Sequence, residues 1–368
     1  MKYYIIAGEA SGDLHGSNLI RELKKRDAHA DIRAWGGDLM AEAGAHVVKH
    51  YRELAFMGFV EVVMNLRTIF RNLSFCKKDI TAFQPDAIIL IDYPGFNLRI
   101  AKWAKQQGLK VIYYISPQVW AWKENRVKTI KQCVDKMLVI LPFEKEFYQK
   151  WHYEVEYVGH PLVEVIDEVK AKGNQHKTGN TVALLPGSRK QEILKKLPVM
   201  LEVSKHFPNL EFVVAKAPGQ DDSFYETLLS PYPNVKSVSG KTYDLLRQAD
   251  AALVTSGTAT LETALFGVPE VVCYKGSAIS YEIAKRVIRV KYISLVNLIM
   301  DKPVVKELIQ HEMTTDNLVK ELKQLLYDPE KQKELQADYA TLHEILSRGG
   351  HASANAAGAI RSFLSPGQ

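Results

Sequence analysis

Cysteine is scarce in this sequence, with three residues in 368, at positions 76, 133 and 273. Because their number is odd and they lie far apart, they do not form a disulfide framework, and we expect a reducing, cytoplasmic environment. No two aspartates stand two residues apart, so the spacing of an acidic metal-binding motif is missing. We therefore expect no metal ion and no other cofactor.

Long apolar runs are also missing. The apolar stretch 56–73 is interrupted by Glu61, Asn65 and Arg67, so it cannot span a bilayer. The N-terminus leads directly into an apolar strand pattern without a charged leader or a small-residue cleavage site, and we expect no secretory signal.

The charge balance is basic, with a net charge of +6 and a pI near 8.9. This favours an anionic partner without identifying it. The lysine and arginine pairs are short and scattered on predicted helix faces, outside any nucleic-acid-binding module. We expect most of them to be solvated, and we expect no nucleic-acid partner.

The same local pattern occurs twice: a short apolar run, a glycine turn and a helical pattern. The first copy runs from Tyr3 through Gly8–Asp13 into a helix, and the second from Val182 through Pro186–Arg189 into a helix. Each predicts a buried parallel strand followed by a helix whose N-terminus can face an anion. Each copy begins a series of alternating strands and helices, so we predict two Rossmann-like α/β domains facing a cleft.

The predicted boundary lies near Gly159–Leu162, just upstream of the polar stretch 170–180. Residues 1–165 form the first predicted domain and residues 166–345 the second. The helical tail 346–368 either packs back on the first domain or meets a partner subunit, and a homodimer stays open.

A cluster of small residues follows the predicted strand Ala251–Val254. Ser256, Gly257, Thr258 and Ala259 allow a diphosphate to approach the backbone at the start of a helix, where the helix dipole favours negative charge. Glu262 stands about one turn later and can accept the two hydroxyls of a ribose. In the alternative interpretation a hydroxyl caps the helix and Glu262 is solvated.

Arg189 stands at the end of another predicted strand, the edge at which open α/β sheets bind ligands. Its permanent charge and planar donor group suit phosphate. The alternative is an ordinary surface arginine.

Asp92 follows the apolar strand Ala87–Ile91. A carboxylate there is partly desolvated, which raises its pKa and suits it to proton abstraction. The alternative is that Asp92 caps the helix expected to begin near Phe96, and the sequence does not choose between the two.

The two tryptophans of Ser116–Trp122 (SPQVWAW) stand two positions apart, after a predicted strand. Trp120 and Trp122 cannot both face a helix core. One of them lines a wall or an interface, or packs against a neighbouring element.

The helical pattern 56–73 has two faces. One is a core stripe that ends in Ile69, Phe70 and Leu73. The other places Val60 and Met64 beside Arg67 and Arg71, the combination typical of an interfacial membrane contact. A helix buried on two sides, with its arginines at the rim, is the alternative.

Six short motifs, in order along most of the chain, together resemble the lipid-A-disaccharide synthase family. They are Gly8–Asp13 (GEASGD), Ser116–Trp122 (SPQVWAW), Leu141–Glu144 (LPFE), Gly159–Leu162 (GHPL), Leu185–Arg189 (LPGSR) and Ser256–Glu262 (SGTATLE). The resemblance implies the GT-B glycosyltransferase fold and no metal requirement. It also implies an inverting reaction that joins UDP-2,3-diacylglucosamine to 2,3-diacylglucosamine 1-phosphate at the cytoplasmic face of the inner membrane.

The resemblance also implies roles for single residues. Asp92 matches the family's suspected general base, and Glu9 and Ser11 match positions near the reacting sugars. Arg189, Glu262 and Asn297 match UDP-site positions, although Val296 replaces a proline that is frequent in the family. Lys275 is added to this site for its charge and its place at a strand end. Two other functions stay open: a UDP-N-acetylglucosamine 2-epimerase and a non-catalytic lipid-binding protein, the latter on an anionic membrane surface.

Overall fold

The computed structural model describes residues 1–54, 66–122, 124–173, 179–217, 219–277, 281–282 and 290–365, with the side chains of 66 and 122 excluded. The chain divides into two compact units. The first combines Met1–Pro161 with Ser347–Gln368, and the second is Leu162–Leu346.

The first unit contains a seven-stranded sheet in the order β3-β2-β1-β4-β5-β6-β7. Its strands are β1 (Lys2–Ala7), β2 (Asp31–Gly36), β3 (His46–His50), β4 (Ala87–Ile91), β5 (Lys110–Tyr114), β6 (Lys136–Val139) and β7 (Glu156–Tyr157). Its helices are α1 (Ala10–Arg26), α2 (Asp38–Glu42), α3 (Leu66–Phe83), α4 (Pro94–Gln106), α5 (Val119–Trp122), α6 (Arg126–Cys133) and α7 (Glu144–Gln149), with a 3-10 turn at Tyr51–Leu54.

The second unit contains a six-stranded sheet in the order β10-β9-β8-β11-β12-β13. Its strands are β8 (Thr181–Leu185), β9 (Glu211–Lys216), β10 (Val235–Ser239), β11 (Ala251–Thr255), β12 (Glu270–Tyr274) and β13 (Lys306–Ile309). The helices that follow α7 are α8 (Pro161–Ala171), α9 (Lys190–Ser204), α10 (Asp222–Leu229), α11 (Thr242–Gln248), α12 (Thr258–Leu265), α13 (Leu295–Met300), α14 (Thr315–Tyr327), α15 (Pro329–Ser347) and α16 (Ala352–Leu364). The last of these belongs to the first unit.

The central strands are apolar because they are buried on both faces. All five residues of β4, of β8 and of β11 are buried. Every strand pair in the two sheets is parallel, and helices connect most successive strands. This is the doubly covered sheet that near-continuous apolar runs predict. The predicted fold class, two Rossmann-like α/β domains, is confirmed.

Three strands were not predicted from the sequence: β3, β10 and β13. Each lies at the edge of its sheet and is only partly buried. Because one side of an edge strand faces solvent, its sequence is mixed, as in the Val235–Ser239 strand VKSVS. Apolar runs therefore reveal the central strands but miss three of the four edge strands; β7, the fourth, was predicted.

The C-terminal tail completes the first unit. Helix α16 packs on α1, and the Asn355 side-chain amide donates to the Val158 carbonyl at 3.1 Å. A Cβ added to Gly349 would lie 2.3 Å from the Gly159 Cα, so the two glycines let the tail backbone cross the GHPL motif in close contact.

Within the described ranges, no helix is long and apolar enough to cross a membrane.

Candidate functional site

In the first unit, predicted site residues follow neighbouring strands. Strands β1 and β4 pair with Ala7 opposite Ile91, and β4 and β5 pair with Ile91 opposite Tyr114. Glu9 follows β1 and Asp92 follows β4. Since parallel strands end at the same edge of a sheet, the two carboxyl residues share that edge.

Gly8 lets the two strand ends pack together. A Cβ at this position would lie 2.4 Å from the Tyr93 ring, so any larger residue would displace the ring. Tyr93 also stacks on Phe96, with 5.6 Å between the ring centroids. The glycine of the first turn is thus required by packing, in addition to any ligand contact.

The backbone around Asp92 is held in an uncommon conformation. Asp92, Tyr93 and Ile115 all have positive φ, at 43°, 49° and 66°. The Asp92 N–H donates to the Ile115 carbonyl at 3.2 Å, and the Asp92 carbonyl accepts from Asn97 Nδ2 at 2.8 Å and from the Tyr113 hydroxyl. A β-branched residue such as Ile115 adopts positive φ only when its surroundings enforce it, and such strain clusters at functional sites.

The structure does not support the alternative that Asp92 caps the following helix. Helix α4 begins at Pro94, its N-cap residue is Tyr93, and it has no side-chain cap. Burial raises the pKa of Asp92 to about 7, and the neighbouring Glu9 carboxylate contributes in the same direction. A carboxyl group with this pKa can accept a proton near neutral pH.

Two other residues of the GEASGD motif differ in environment. Ser11 is exposed, whereas Asp13 is buried. The Asp13 carboxylate accepts from the backbone N–H groups of Gly37 at 2.7 Å, Met40 at 3.1 Å and Leu39 at 3.2 Å. It therefore caps α2 from another helix, a structural role that the sequence analysis missed because the partner lies 24 or more residues away.

In the second unit, three neighbouring strands end in predicted site residues. Arg189 follows β8, Ser256 follows β11 and Lys275 follows β12, and β11 pairs with both of the other strands. The structure thus places three of the expected donor-site residues along one edge. Lys275 is half-buried there.

Arg189 is the N-cap residue of α9, and its side chain is 51% exposed. Its Nη1 lies 3.2 Å from Glu192 Oε1, and Lys196 Nζ lies 3.9 Å from the other oxygen of Glu192. Lys196 is buried, whereas its neighbour Lys195 is exposed. Gly187 has φ +108°, and a Cβ there would lie 2.9 Å from Glu192 Oε2. The turn therefore needs glycine both for its conformation and for space.

The small residues after β11 leave the backbone open. Gly257 is the N-cap residue of α12, and a Cβ placed there meets no described atom within 4 Å. Gly257 and Thr258 are exposed, while Ala259 is half-buried. The Ser256 hydroxyl donates to the Ile293 carbonyl at 2.9 Å, so it ties a neighbouring loop to the strand end and does not cap the helix.

Glu262 is half-buried and has a specific partner. Its Oε1 accepts from the Tyr243 hydroxyl at 2.8 Å, and burial raises the pKa of its carboxyl. The alternative of a solvated Glu262 does not fit this environment. Tyr243 was not identified from the sequence, because it lies on α11, a separate helix.

Asn297 lies inside the second unit, and its expected contact with the donor stays a prediction. Its side chain is buried, and its Nδ2 donates to the Val305 carbonyl and to Glu307 Oε1, both at 2.9 Å. Its Oδ1 accepts from the Val305 N–H at 2.9 Å. Through these hydrogen bonds Asn297 joins α13 to Val305 and Glu307, at the start of β13.

The predicted membrane face is described only in part. Val60 and Met64 lie outside the described residues, whereas Arg67 and Arg71 are exposed on α3. Leu73 is buried, but Phe70 is 64% exposed. The prediction that Phe70 belongs to the core stripe was therefore wrong.

No group of three or more histidine, cysteine, aspartate or glutamate side chains suited to a metal ion occurs in the described part of the chain.

Solved structures with this architecture define the class. The UDP-GlcNAc 2-epimerase from Neisseria meningitidis bound to UDP-GlcNAc is 14% identical to this chain, the match covers 99% of each chain, and the TM-score is 0.66. The glycotransferase of kitacinnamycin is 16% identical, with 99% of each chain covered and a TM-score of 0.67. At these identities the likeness shows the fold alone: two α/β domains of the GT-B type, shared by glycosyltransferases and UDP-sugar epimerases.

Sequence relatives define the family. The family model for lipid-A-disaccharide synthetase matches residues 3–360. The lipid-A-disaccharide synthase of Syntrophus aciditrophicus (strain SB) is 41% identical over 360 residues, which cover 95% of this chain and 94% of the relative. That of Geobacter metallireducens is 40% identical over 371 residues, covering 98% and 96%. The chain belongs to the lipid-A-disaccharide synthetase family and is a glycosyltransferase, as its motifs predicted.

Proposed function

We propose that this protein transfers the diacylated glucosamine of UDP-2,3-diacylglucosamine to the 6-hydroxyl of 2,3-diacylglucosamine 1-phosphate. The products are the β-1,6 disaccharide 1-phosphate and UDP. The observation that carries the proposal is the family match, which extends over both units at about 40% identity to its relatives.

Asp92 is the proposed general base. Its pKa near 7 allows it to take the proton of the acceptor hydroxyl as the oxygen attacks C1 of the donor sugar. Attack from the face opposite UDP inverts the configuration at C1. Glu9 and Ser11, which follow the adjacent strand, are proposed to contact the reacting sugars.

The second unit is proposed to bind the donor nucleotide. Arg189 and the open backbone at Gly257 and Thr258 stabilise the charge that grows on the β-phosphate as UDP leaves. Glu262 accepts the ribose hydroxyls, and Lys275 adds positive charge at the same edge. These groups supply the electrostatic stabilisation that a metal ion supplies in other transferases.

The direct test is incubation of the purified protein with both diacylated sugars, followed by mass analysis of the products. We expect a disaccharide with one phosphate and an equal amount of UDP, formed only when both sugars are present. An epimerase would instead change C2 of UDP-N-acetylglucosamine without any acceptor. Formation of that product, with no disaccharide, would contradict the proposal.

A contact with the cytoplasmic face of the inner membrane is the second part of the proposal, because both substrates carry acyl chains. The face of α3 with Arg67, Phe70 and Arg71 supports it. Next to it lies an open groove of about 460 Å³ between α3 and α4, lined in part by Phe70, Lys77, Arg99, Lys102 and Trp103.

The membrane contact is tested by flotation with vesicles that contain anionic lipid. Replacing Arg67 and Arg71 with glutamine should weaken binding by about 2 kcal/mol, or roughly 30-fold, at about 1 kcal/mol for each cation near the surface. Replacing Lys320 and Lys323, exposed on α14, removes the same charge and serves as the control. Equal effects of the two double variants would contradict a contact at α3.

A further inference from the structure

Glu144 is a buried acid without an assigned role. It is 1% exposed, and it begins α7 directly after the LPF residues of its motif. Its Oε2 accepts from the backbone N–H groups of Leu141 at 2.9 Å and Ile140 at 3.3 Å. Glu144 thus holds the backbone of the turn between β6 and α7 with one oxygen of its carboxyl group.

The second motif lies against this carboxyl group. Burial raises the pKa of Glu144 to about 7, and the Ser116 side chain lies near enough to its carboxyl group to act in the opposite direction. Trp120 is itself buried and packs edge-on against Phe143, with 4.9 Å between the ring centroids. The LPFE and SPQVWAW motifs thus meet through Glu144 and Phe143, and Trp120 packs against a neighbouring element instead of lining an open wall.

Ser116 is held from two sides. Besides Glu144, the hydroxyl of Tyr148 lies 2.6 Å from Ser116 Oγ, and Tyr148 is fully buried. Ser116 follows Ile115 directly, and the Ile115 carbonyl accepts the Asp92 N–H. Ser116 and Ile115 therefore connect α7 to the backbone of Asp92, the proposed base.

Tyr113 gives a second connection. Its hydroxyl donates to the Asp92 carbonyl, and the side chain is fully buried near Tyr148. Ile115 and Asp92 both have positive φ, so this segment needs outside support to keep its conformation.

We propose that Glu144 is a positioning residue for the transfer reaction: through Ser116 it fixes the strained turn at Ile115, and through that turn it fixes the direction of the Asp92 carboxyl group. This proposal rests on the proposed function, since it acts through Asp92. It assigns the LPFE and SPQVWAW motifs one shared task on the acceptor side.

The test is a double-mutant cycle of Glu144→Ala and Asp92→Asn, read as turnover with both sugars. Misplacing a base by about 1 Å can cost on the order of 100-fold, so Glu144→Ala alone should lower kcat by roughly 10- to 100-fold, with unchanged UDP affinity. In the Asp92→Asn protein the same change should cost less than about threefold, because the group that it positions is already absent. Glu146→Ala, an exposed glutamate on the same helix, is the matched control and should not change kcat.

Independent, multiplying effects of the two substitutions would overturn the positioning proposal, as would a folded Glu144→Ala protein with normal kcat. If Glu144→Ala does not fold, Tyr148→Phe removes only the hydroxyl that holds Ser116, and the same cycle applies to it. Normal turnover of Asp92→Asn alone would overturn the general base of the proposed function. A different outcome is possible: Asp92→Asn has low residual turnover, and Glu144→Ala lowers it further by its full factor. That result would overturn only the role of Glu144.

Discussion

The two units carry opposite chemistry at equivalent places. In each, residues that follow adjacent parallel strands share the carboxyl-terminal edge of the sheet. In the first unit these residues are acids, and the Glu9 carboxylate helps to raise the pKa of Asp92. In the second unit they are Arg189, Lys275 and the start of a helix. The same architecture thus carries the proposed proton acceptor in the first unit and the proposed anion site in the second.

The largest predicted effect comes from Asp92→Asn. The substitution preserves size but removes proton abstraction, which contributes about 10²- to 10⁴-fold. Turnover should fall by that factor, while UDP affinity and the melting temperature stay normal, because the donor residues belong to the second unit. Retention of most of the turnover would mean that the base is another residue, with Glu9 as the next candidate.

Arg189→Ala should produce the opposite pattern. Loss of a charge-assisted contact with the diphosphate should weaken UDP binding by about 1.5–3 kcal/mol, measured by calorimetry. The neighbouring exposed Lys190→Ala is the control for net charge. Unchanged UDP affinity in Arg189→Ala would remove the anion site from this strand end.

Glu262→Ala should weaken UDP binding by about 1.5 kcal/mol, the lower end of that range, because ribose hydroxyls are neutral donors. Tyr243→Phe removes the hydrogen bond that orients Glu262, and its effect should be smaller in the same direction. Binding of a nucleotide analogue that lacks both ribose hydroxyls should not respond to Glu262→Ala. If it responds equally, Glu262 does not recognise the ribose.

The sequence predicted much of this arrangement because site residues directly follow apolar central strands. Asp92, Arg189 and the residues after β11 were found in this way. Contacts between distant elements could not be read in the same way: Tyr243 reaches Glu262 from another helix, and Asp13 caps α2. The sequence also does not show which lysine of the pair Lys195 and Lys196 faces inward; in the structure it is Lys196.

A second buried acid shows that a raised pKa does not by itself identify a base. Glu270 lies at the start of β12, away from the site edge, and both of its carboxyl oxygens lack a hydrogen-bond partner among the described residues. Burial raises its pKa well above the ordinary value. The folded protein keeps Glu270 protonated at a pH where the unfolded chain ionises it. The free energy of unfolding therefore decreases as the pH rises above the pKa of the unfolded chain.

Glu270→Met should therefore stabilise the protein by about 1–3 kcal/mol, and more at pH 8 than at pH 5. Glu270→Gln keeps the shape and should remove only the pH dependence. Both variants should retain normal turnover, since Glu270 is remote from the strand ends. The measurement is the melting temperature of Glu270→Met and of the unaltered protein at pH 5 and at pH 8. If the difference between the two proteins is the same at both pH values, Glu270 is not protonated in the folded protein.

The smallest predicted effect is a shift in pH dependence caused by Glu9→Gln. Removing the Glu9 charge takes away one of the two causes that raise the pKa of Asp92, so the pH at which activity is half-maximal should move lower. The Glu144 carboxyl group also has a raised pKa, but it is not coupled to Glu9. The shift therefore assigns the titration to Asp92, and an unmoved midpoint would assign it to another group.

The most direct test of the central claim is the pH dependence of kcat/KM for the unaltered protein, measured with both diacylated sugars between pH 5 and pH 9. A base must be ionised to accept a proton. As the pH is raised toward the pKa of Asp92, kcat/KM should therefore increase about tenfold for each pH unit, and it should level off above about pH 7. A profile that is flat across this range, or that falls as the pH rises through 7, would contradict the assignment of proton abstraction to the first unit.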